Sequence, residues 1–171
     1  MKDGLFVNYW DNGNKEQEGN WQDDKRNGRH MWWYWDGKKK CEKTYKDGKF
    51  DGLWTYWYPN GKKERERKYK HEKEDGLWIV WHKNGQMKKE EHYQDGKKVG
   101  HWVSWYKNGQ IKKKGNYKDG EKVGLWTSFD EDRQVKEKGN YQDGKKVGLW
   151  RTWYDEIESD KLAGGSEVKF H

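Results

Sequence analysis

Apolar and polar positions alternate along this chain in short runs, and the whole pattern returns every 24 residues. It is clearest in Gly100-His101-Trp102-Val103-Ser104-Trp105-Tyr106-Lys107-Asn108-Gly109, followed by Ile111 to Gly115 and then Tyr117-Lys118-Asp119-Gly120. The opening glycine recurs at Gly4, Gly28, Gly52, Gly76, Gly100, Gly124 and Gly148. Period-two alternation between turn residues predicts half-buried strands. Self-similarity at a fixed spacing predicts an array in which each unit buries its apolar face only against its neighbours. The expected fold is all-β, an antiparallel sheet of stacked β-hairpins in about seven copies, with almost no helix.

Two turn signals punctuate each copy. Asn12-Gly13, Asp36-Gly37, Asn60-Gly61, Asn84-Gly85 and Asn108-Gly109 are dipeptides that close two-residue type I′ hairpins. Asp47-Gly48, Asp95-Gly96, Asp119-Gly120 and Asp143-Gly144 stand in a longer connection to the next glycine. A two-residue loop at Asn-Gly pairs the flanking residues in register, and strand alternation then assigns each side chain to a face.

One face receives Trp102, Tyr106, Ile111, Gly115 and Tyr117 in the fifth copy. Its columns through the array are Phe6, Trp54, Trp78, Trp102, Trp126 and Trp150, then Trp10, Tyr34, Tyr58, Tyr106 and Tyr154, then Trp21, Tyr45, Tyr69, Tyr93, Tyr117 and Tyr141. This is the expected structural face. Gly19, Gly115 and Gly139 lie across the strand from the Phe or Trp of their own copies, with room for that ring to cover bare backbone. The opposite face sets Leu53, Thr55 and Trp57 against Glu64, Glu66 and Lys68. Its aromatic column, Tyr9, Trp33, Trp57, Trp81, Trp105, Phe129 and Trp153, is unbroken, with Lys88 and Lys112 placed beside it. Large rings bordered by charge suit a partner-binding surface. Cross-strand packing between hairpins is the alternative.

Some copies depart from the phrase. His30 stands in the Trp column, His71-Glu72 replaces Asp-Gly, and Asp132-Arg133 replaces Asn-Gly, so those loops are expected to be looser. The array covers residues 1–154. Beyond Tyr154 the pattern dissolves, and residues 155–171 are either a cap, with Ser166 to Phe170 covering the last edge, or a disordered tail.

Composition changes the picture in two ways. Hydrophobic residues make up 30% and charged residues 39%, a balance that in an aperiodic chain indicates disorder. Fourteen Trp and eleven Tyr in phase with the repeat reverse that inference, because each large ring buries on the order of 150–250 Å². The net charge of +7 arises from interleaved acids and bases, which describes a solvated surface or a field favouring acidic partners, nucleic acid or anionic lipid. A single Cys41 excludes an internal disulfide framework and fits a reducing compartment. No apolar run approaches the ~18 residues of a membrane span, and the N-terminus lacks a signal-peptide core, so the expected location is cytoplasmic.

Catalytic chemistry finds no foothold. The six His residues fall at different repeat phases without metal-ligand spacing, and Glu90-Glu91 and Asp130-Glu131-Asp132 sit inside alternating charge runs. Cys41 has no His partner nearby in sequence, and the glycines mark turns without opening a helix. The chain is expected not to be an enzyme and to need no metal or cofactor.

The Gly-x-Trp-x-x-Trp-Tyr-x-Asn-Gly half and the Gly-Asn-Tyr-x-Asp-Gly-Lys-x-x-Gly half, best seen from Gly100 to Tyr154, resemble MORN repeats. More closely they are similar to the bacterial MORN-repeat variant often labelled the YwqK-like antitoxin family. The resemblance implies an elongated, curved antiparallel sheet, a role in protein or lipid binding, and for the bacterial variant the neutralising of a toxin partner. The preferred expectation is a non-enzymatic protein-interaction scaffold of antitoxin or immunity type. Trp33, Trp57, Trp81, Trp105, Trp153, Lys88 and Lys112 are its candidate partner-binding residues. Binding of anionic lipid headgroups or nucleic acid through a Trp and Lys surface, and carbohydrate binding through the Trp ladder, are the alternatives.

Overall fold

The computed structural model describes residues 2–153 and 166–170, so Tyr154 and residues 155–165 lie outside it. Its strands are β1 (Gly4–Tyr9), β2 (Lys15–Gln22), β3 (Lys25–Trp33), β4 (Lys39–Lys46), β5 (Lys49–Trp57), β6 (Lys63–Lys70), β7 (Lys73–Glu74), β8 (Gly76–Trp81), β9 (Met87–Gln94), β10 (Lys97–Trp105), β11 (Ile111–Lys118), β12 (Glu121–Phe129), β13 (Val135–Gln142), β14 (Lys145–Thr152) and β15 (Ser166–Phe170). The described residues contain strands and turns and no helix. The chain divides into two compact units, Met1–Gln86 with Tyr93–Lys97, and Met87–His92 with Lys98–His171. Within the first, β1 to β6 pair antiparallel in chain order and β8 follows β6, which also holds the short β7. Within the second, β10 to β14 pair the same way. The edge of β14 is covered by β15, with Gly148 opposite Phe170 and Thr152 opposite Ser166.

The two turn types are the reverse of the sequence expectation. Asp47 and Gly48 both have positive φ, 52° and 83°, and Lys46 pairs with Lys49, so Asp-Gly is the two-residue hairpin. Asp23-Asp24 and His71-Glu72 adopt the same pair of left-handed conformations without glycine. At Asn12-Gly13 only the glycine is left-handed, at 84°. Gly13 N–H donates to the Trp10 carbonyl at 2.9 Å and Trp10 N–H to the Asn14 carbonyl at 2.8 Å, giving a three-residue loop closed by a left-handed glycine. The asparagine serves through its side chain, whose Oδ1 accepts the N–H two residues on at 3.0 Å in Asn12, Asn84 and Asn108. In the sixth copy Arg133 takes the glycine's place at φ 67°, and Asp130 Oδ1 accepts from the Gln134 N–H at 2.8 Å.

The extra loop residue shifts the register. Ser104 pairs with Lys113 as expected, but Trp105 then pairs with Ile111, leaving Lys112 bulged. The slip recurs at Tyr9 and Lys15, Trp33 and Lys39, Trp57 and Lys63, and Phe129 and Val135. Ile111 therefore sits opposite Trp105, not on the structural face, and Trp57 faces Lys63 and not Glu64.

A second bulge explains the buried rings. The β11–β12 register breaks between Lys114 and Asn116, and Trp126 Nε1 donates to the Asn116 carbonyl at 3.3 Å. The same offset joins Trp54 to Thr44 at 3.1 Å and Trp150 to Asn140 at 3.1 Å, and His30 Nε2 meets the Asn20 carbonyl at 2.7 Å. Each indole N–H is thereby satisfied as its ring is buried, as a buried donor requires. The ring that covers a repeat glycine belongs to the following copy. A Cβ on Gly19 would meet the His30 ring at 2.1 Å, one on Gly115 the Trp126 ring at 2.2 Å, and one on Gly139 the Trp150 ring at 2.3 Å. This corrects the expectation that each ring covers the glycine of its own copy. Trp54, Trp78, Trp126 and Trp150 are buried, and Tyr rings fill the gaps between them, with centroids 5.7 Å (Tyr45–Trp54), 5.0 Å (Trp54–Tyr69), 5.3 Å (Tyr117–Trp126) and 5.0 Å (Tyr141–Trp150).

Candidate functional site

The opposite face carries the aromatic column in a different setting. Trp33, Trp57, Trp81, Trp105 and Phe129 are half-buried, while Tyr9 and Trp153 are exposed. In the first unit each of these Trp rings is covered by a lysine from the preceding copy, Lys15 over Trp33 at 5.6 Å, Lys39 over Trp57 at 5.5 Å and Lys63 over Trp81 at 5.7 Å. The register slip at the three-residue loop makes this possible, because it brings those lysines onto the ladder face. Sequence reasoning missed them and chose Lys88 and Lys112. The structure places Lys112 over Tyr106 at 5.3 Å, away from the ladder, and Lys40 at the same repeat position lies over Tyr34 at 5.9 Å. Lys88 shares that repeat position and is exposed. The missed signal was the glycine alone in the left-handed region, which adds one residue to the loop.

The column beside the ladder ties one copy to the next. Tyr34, Tyr58 and Tyr106 donate their phenol protons to the carbonyls of Trp57, Trp81 and Phe129, each at 2.8 Å. Burial, then the charge of Glu64, raises the Tyr34 and Tyr58 phenols above the usual range, so both remain donors at neutral pH. These bonds anchor the backbone of three ladder residues, Trp57, Trp81 and Phe129.

Three copies depart at the position of the repeat glycine. Lys43 lies over Trp54 at 4.6 Å, Arg67 over Trp78 at 4.3 Å, and Glu91 accepts from Trp102 Nε1 at 2.9 Å. Glu91 is buried, with Lys89 at 2.9 Å and Lys98 at 2.8 Å. Burial pushes its carboxyl upward, but hydrogen bonds from Lys98, Lys89 and Trp102 outweigh that and hold it below its ordinary value. Trp102, whose indole is drawn to Glu91, is only half-buried. Cys41 is buried and burial raises its thiol, against the pull of Lys43, Lys40 and Arg65, the opposite of an activated nucleophile. Among the described residues, no group of three or more His, Cys, Asp or Glu side chains could hold a metal ion.

Antiparallel hairpins repeated at a fixed spacing, with one ring column buried and one half-exposed, define a hairpin-repeat protein. The description of the MORN repeat variant matches residues 2–23, 50–71, 74–95, 98–119 and 122–143, and the chain belongs to that family. Repeats of this family generally serve in interactions with proteins or membranes. The copy at residues 25–46 lies outside the matched segments, yet β3 and β4 pair as the others do. Among curated proteins, none matches the chain. No helix among the described residues is long and apolar enough to cross a membrane.

Proposed function

We propose that this chain is a non-enzymatic interaction scaffold of antitoxin or immunity type, acting in the cytoplasm, which holds a partner protein against its ladder face and blocks it by occlusion. The observation that carries this reading is the aromatic column present in each unit, half-exposed at Trp33, Trp57 and Trp81 in the first and at Trp105 and Phe129 in the second, with Trp153 exposed. Large rings held on a rigid sheet dominate interface energetics, because little side-chain freedom is lost when they are covered. The backbones of Trp57, Trp81 and Phe129 are held by the Tyr34, Tyr58 and Tyr106 hydrogen bonds, which pre-organises those rings. Affinity capture from the native host tests the reading, comparing the wild-type chain with Trp81→Ser/Trp105→Ser. The expected result is a protein partner retained by the wild type and lost by a variant that melts as the wild type does. A folded double variant that holds the partner at full affinity would move the site to the face of Trp102 and Tyr117.

A further inference from the structure

Resting on that reading, the two units offer different chemistry on the ladder face. One cross-strand row of the first unit carries Glu18, Glu42 and Glu66, and each has a cation on the same face: Lys15 for Glu18, Arg29 for Glu42 at 2.7 Å, and Lys63 for Glu66 at 2.6 Å. In the second unit the corresponding row runs Val103, Lys114, Thr127, Lys138 and Arg151, each directly opposite the next. Lys138 faces Arg151, a like-charge pair that a sheet does not favour for its own stability. Beside this row, the positions held by Lys15, Lys39 and Lys63 in the first unit are Ile111 opposite Trp105 and Val135 opposite Phe129. The positions of Asn27 and Asp51 become Val123 and Val147. From β10 to β14 no carboxylate stands in the Val103 to Arg151 row, and Glu121, on the same face, sits opposite Lys118 at the hairpin end of β12. The face presents one cationic row and, alongside, one apolar row.

We infer that this face of the second unit is the docking strip for an acidic amphipathic helix of the partner protein. Two parallel rows, one apolar and one cationic, match the adjoining apolar and acidic stripes of such a helix. Four strand spacings from β10 to β14 span about 19 Å, the length of roughly 13 helical residues. In the first unit the same row carries Glu18, Glu42 and Glu66, whose charge repels an acidic stripe.

The test uses the full chain and a synthetic helical peptide with a leucine stripe flanked by glutamates, read by isothermal titration. Its controls are the same peptide with lysine for glutamate and phosphatidylserine vesicles. Lys114→Glu/Lys138→Glu installs the residue type of the first unit's row, and Ile111→Lys/Val135→Lys installs its lysines. Each is expected to weaken the glutamate peptide by roughly tenfold or more, with neither the lysine peptide nor the vesicles bound. If the glutamate substitutions prevent folding, Lys114→Gln/Lys138→Gln replaces them, with the same loss expected. No binding of the glutamate peptide, equal binding of the lysine peptide, undiminished binding by the variants, or capture by vesicles overturns the inference. A native partner that survives Lys114→Glu/Lys138→Glu but not Trp81→Ser/Trp105→Ser overturns it while leaving the scaffold reading intact.

Discussion

Two solutions to one packing problem coexist on the structural face. Where the repeat glycine is kept, at Gly19, Gly115 and Gly139, the ring of the next copy lies on bare backbone, and Trp126 and Trp150 are each 2% exposed. Where it is replaced, at Lys43, Arg67 and Glu91, a charged side chain lies against the ring. The lysine ammonium and arginine guanidinium lie over their indoles, and Trp54 and Trp78 remain buried. Only Glu91 displaces its ring, because a carboxylate offers an acceptor to the indole N–H and draws it from the backbone carbonyl its counterparts use. The copies are thus alike in backbone, and in both sets a cation lies over the indole, as Lys122 does on Trp126 and Lys146 on Trp150. They differ in whether bare glycine or a charged residue occupies the position across from the ring.

The comparison breaks most readily at the rings. Trp126→Ala should cost about 3–5 kcal/mol in urea melts, and Trp102→Ala, from a half-buried ring, clearly less. Equal losses would mean that the glycine and Glu91 copies are energetically the same. Next in size, Gly115→Ala drives a methyl into the Trp126 ring and should cost about 1–3 kcal/mol. Lys43→Ala, which removes a cation from over Trp54, Trp32 and Tyr56, should cost about 1 kcal/mol and respond to salt. A Gly115→Ala chain as stable as the wild type would show that the ring moves aside freely.

Acid should separate the two solutions further. Burial, together with the nearby Arg26 charge, lowers His30 below its ordinary value against the opposing Asn20 carbonyl. Its stabilising contribution is therefore complete above the unfolded value near 6.5 and is lost as pH falls below it. Glu91 has its folded value depressed, so its contribution is complete above the unfolded value near 4.5 and is lost at lower pH. Melting followed against pH should show His30→Trp flattening the upper step and Glu91→Gln the lower one. Identical profiles in wild type and both variants would contradict these assignments. The smallest effect is expected on the ladder. Lys63→Ala removes an ion pair with Glu66 and a cation over Trp81 at a half-exposed site, about 0.5–1 kcal/mol, declining with salt.

Much of the fold was legible in the sequence because one phrase repeats, and repetition fixes strand number, alternation and the buried Trp column together. The register of Trp102 with Gly115 follows from it directly. What escaped was local. Asn-Gly and Asp-Gly are both good two-residue turns by composition, and which one takes that form depends on whether the residue before glycine is left-handed, as Asp47 is and Asn12 is not. That single difference moved Lys15, Lys39, Lys63 and Ile111 onto the ladder face. The Glu91 cluster escaped for another reason, since Lys89, Lys98 and Trp102 converge only after two strands are paired.

The phenol bonds have a bearing on how such a chain changes length. Tyr34 to Trp57, Tyr58 to Trp81 and Tyr106 to Phe129 all span 23 residues, and the indole bonds of Trp54, Trp126 and Trp150 all span 10. Every such link is written as an offset within one period and not as an address in the whole chain. Duplicating or excising one whole period leaves each donor with an equivalent acceptor, whereas a one-residue insertion inside a strand turns its rings to the wrong face. The length of the surface is therefore free to vary in whole steps of one copy, while the pattern on each step stays fixed.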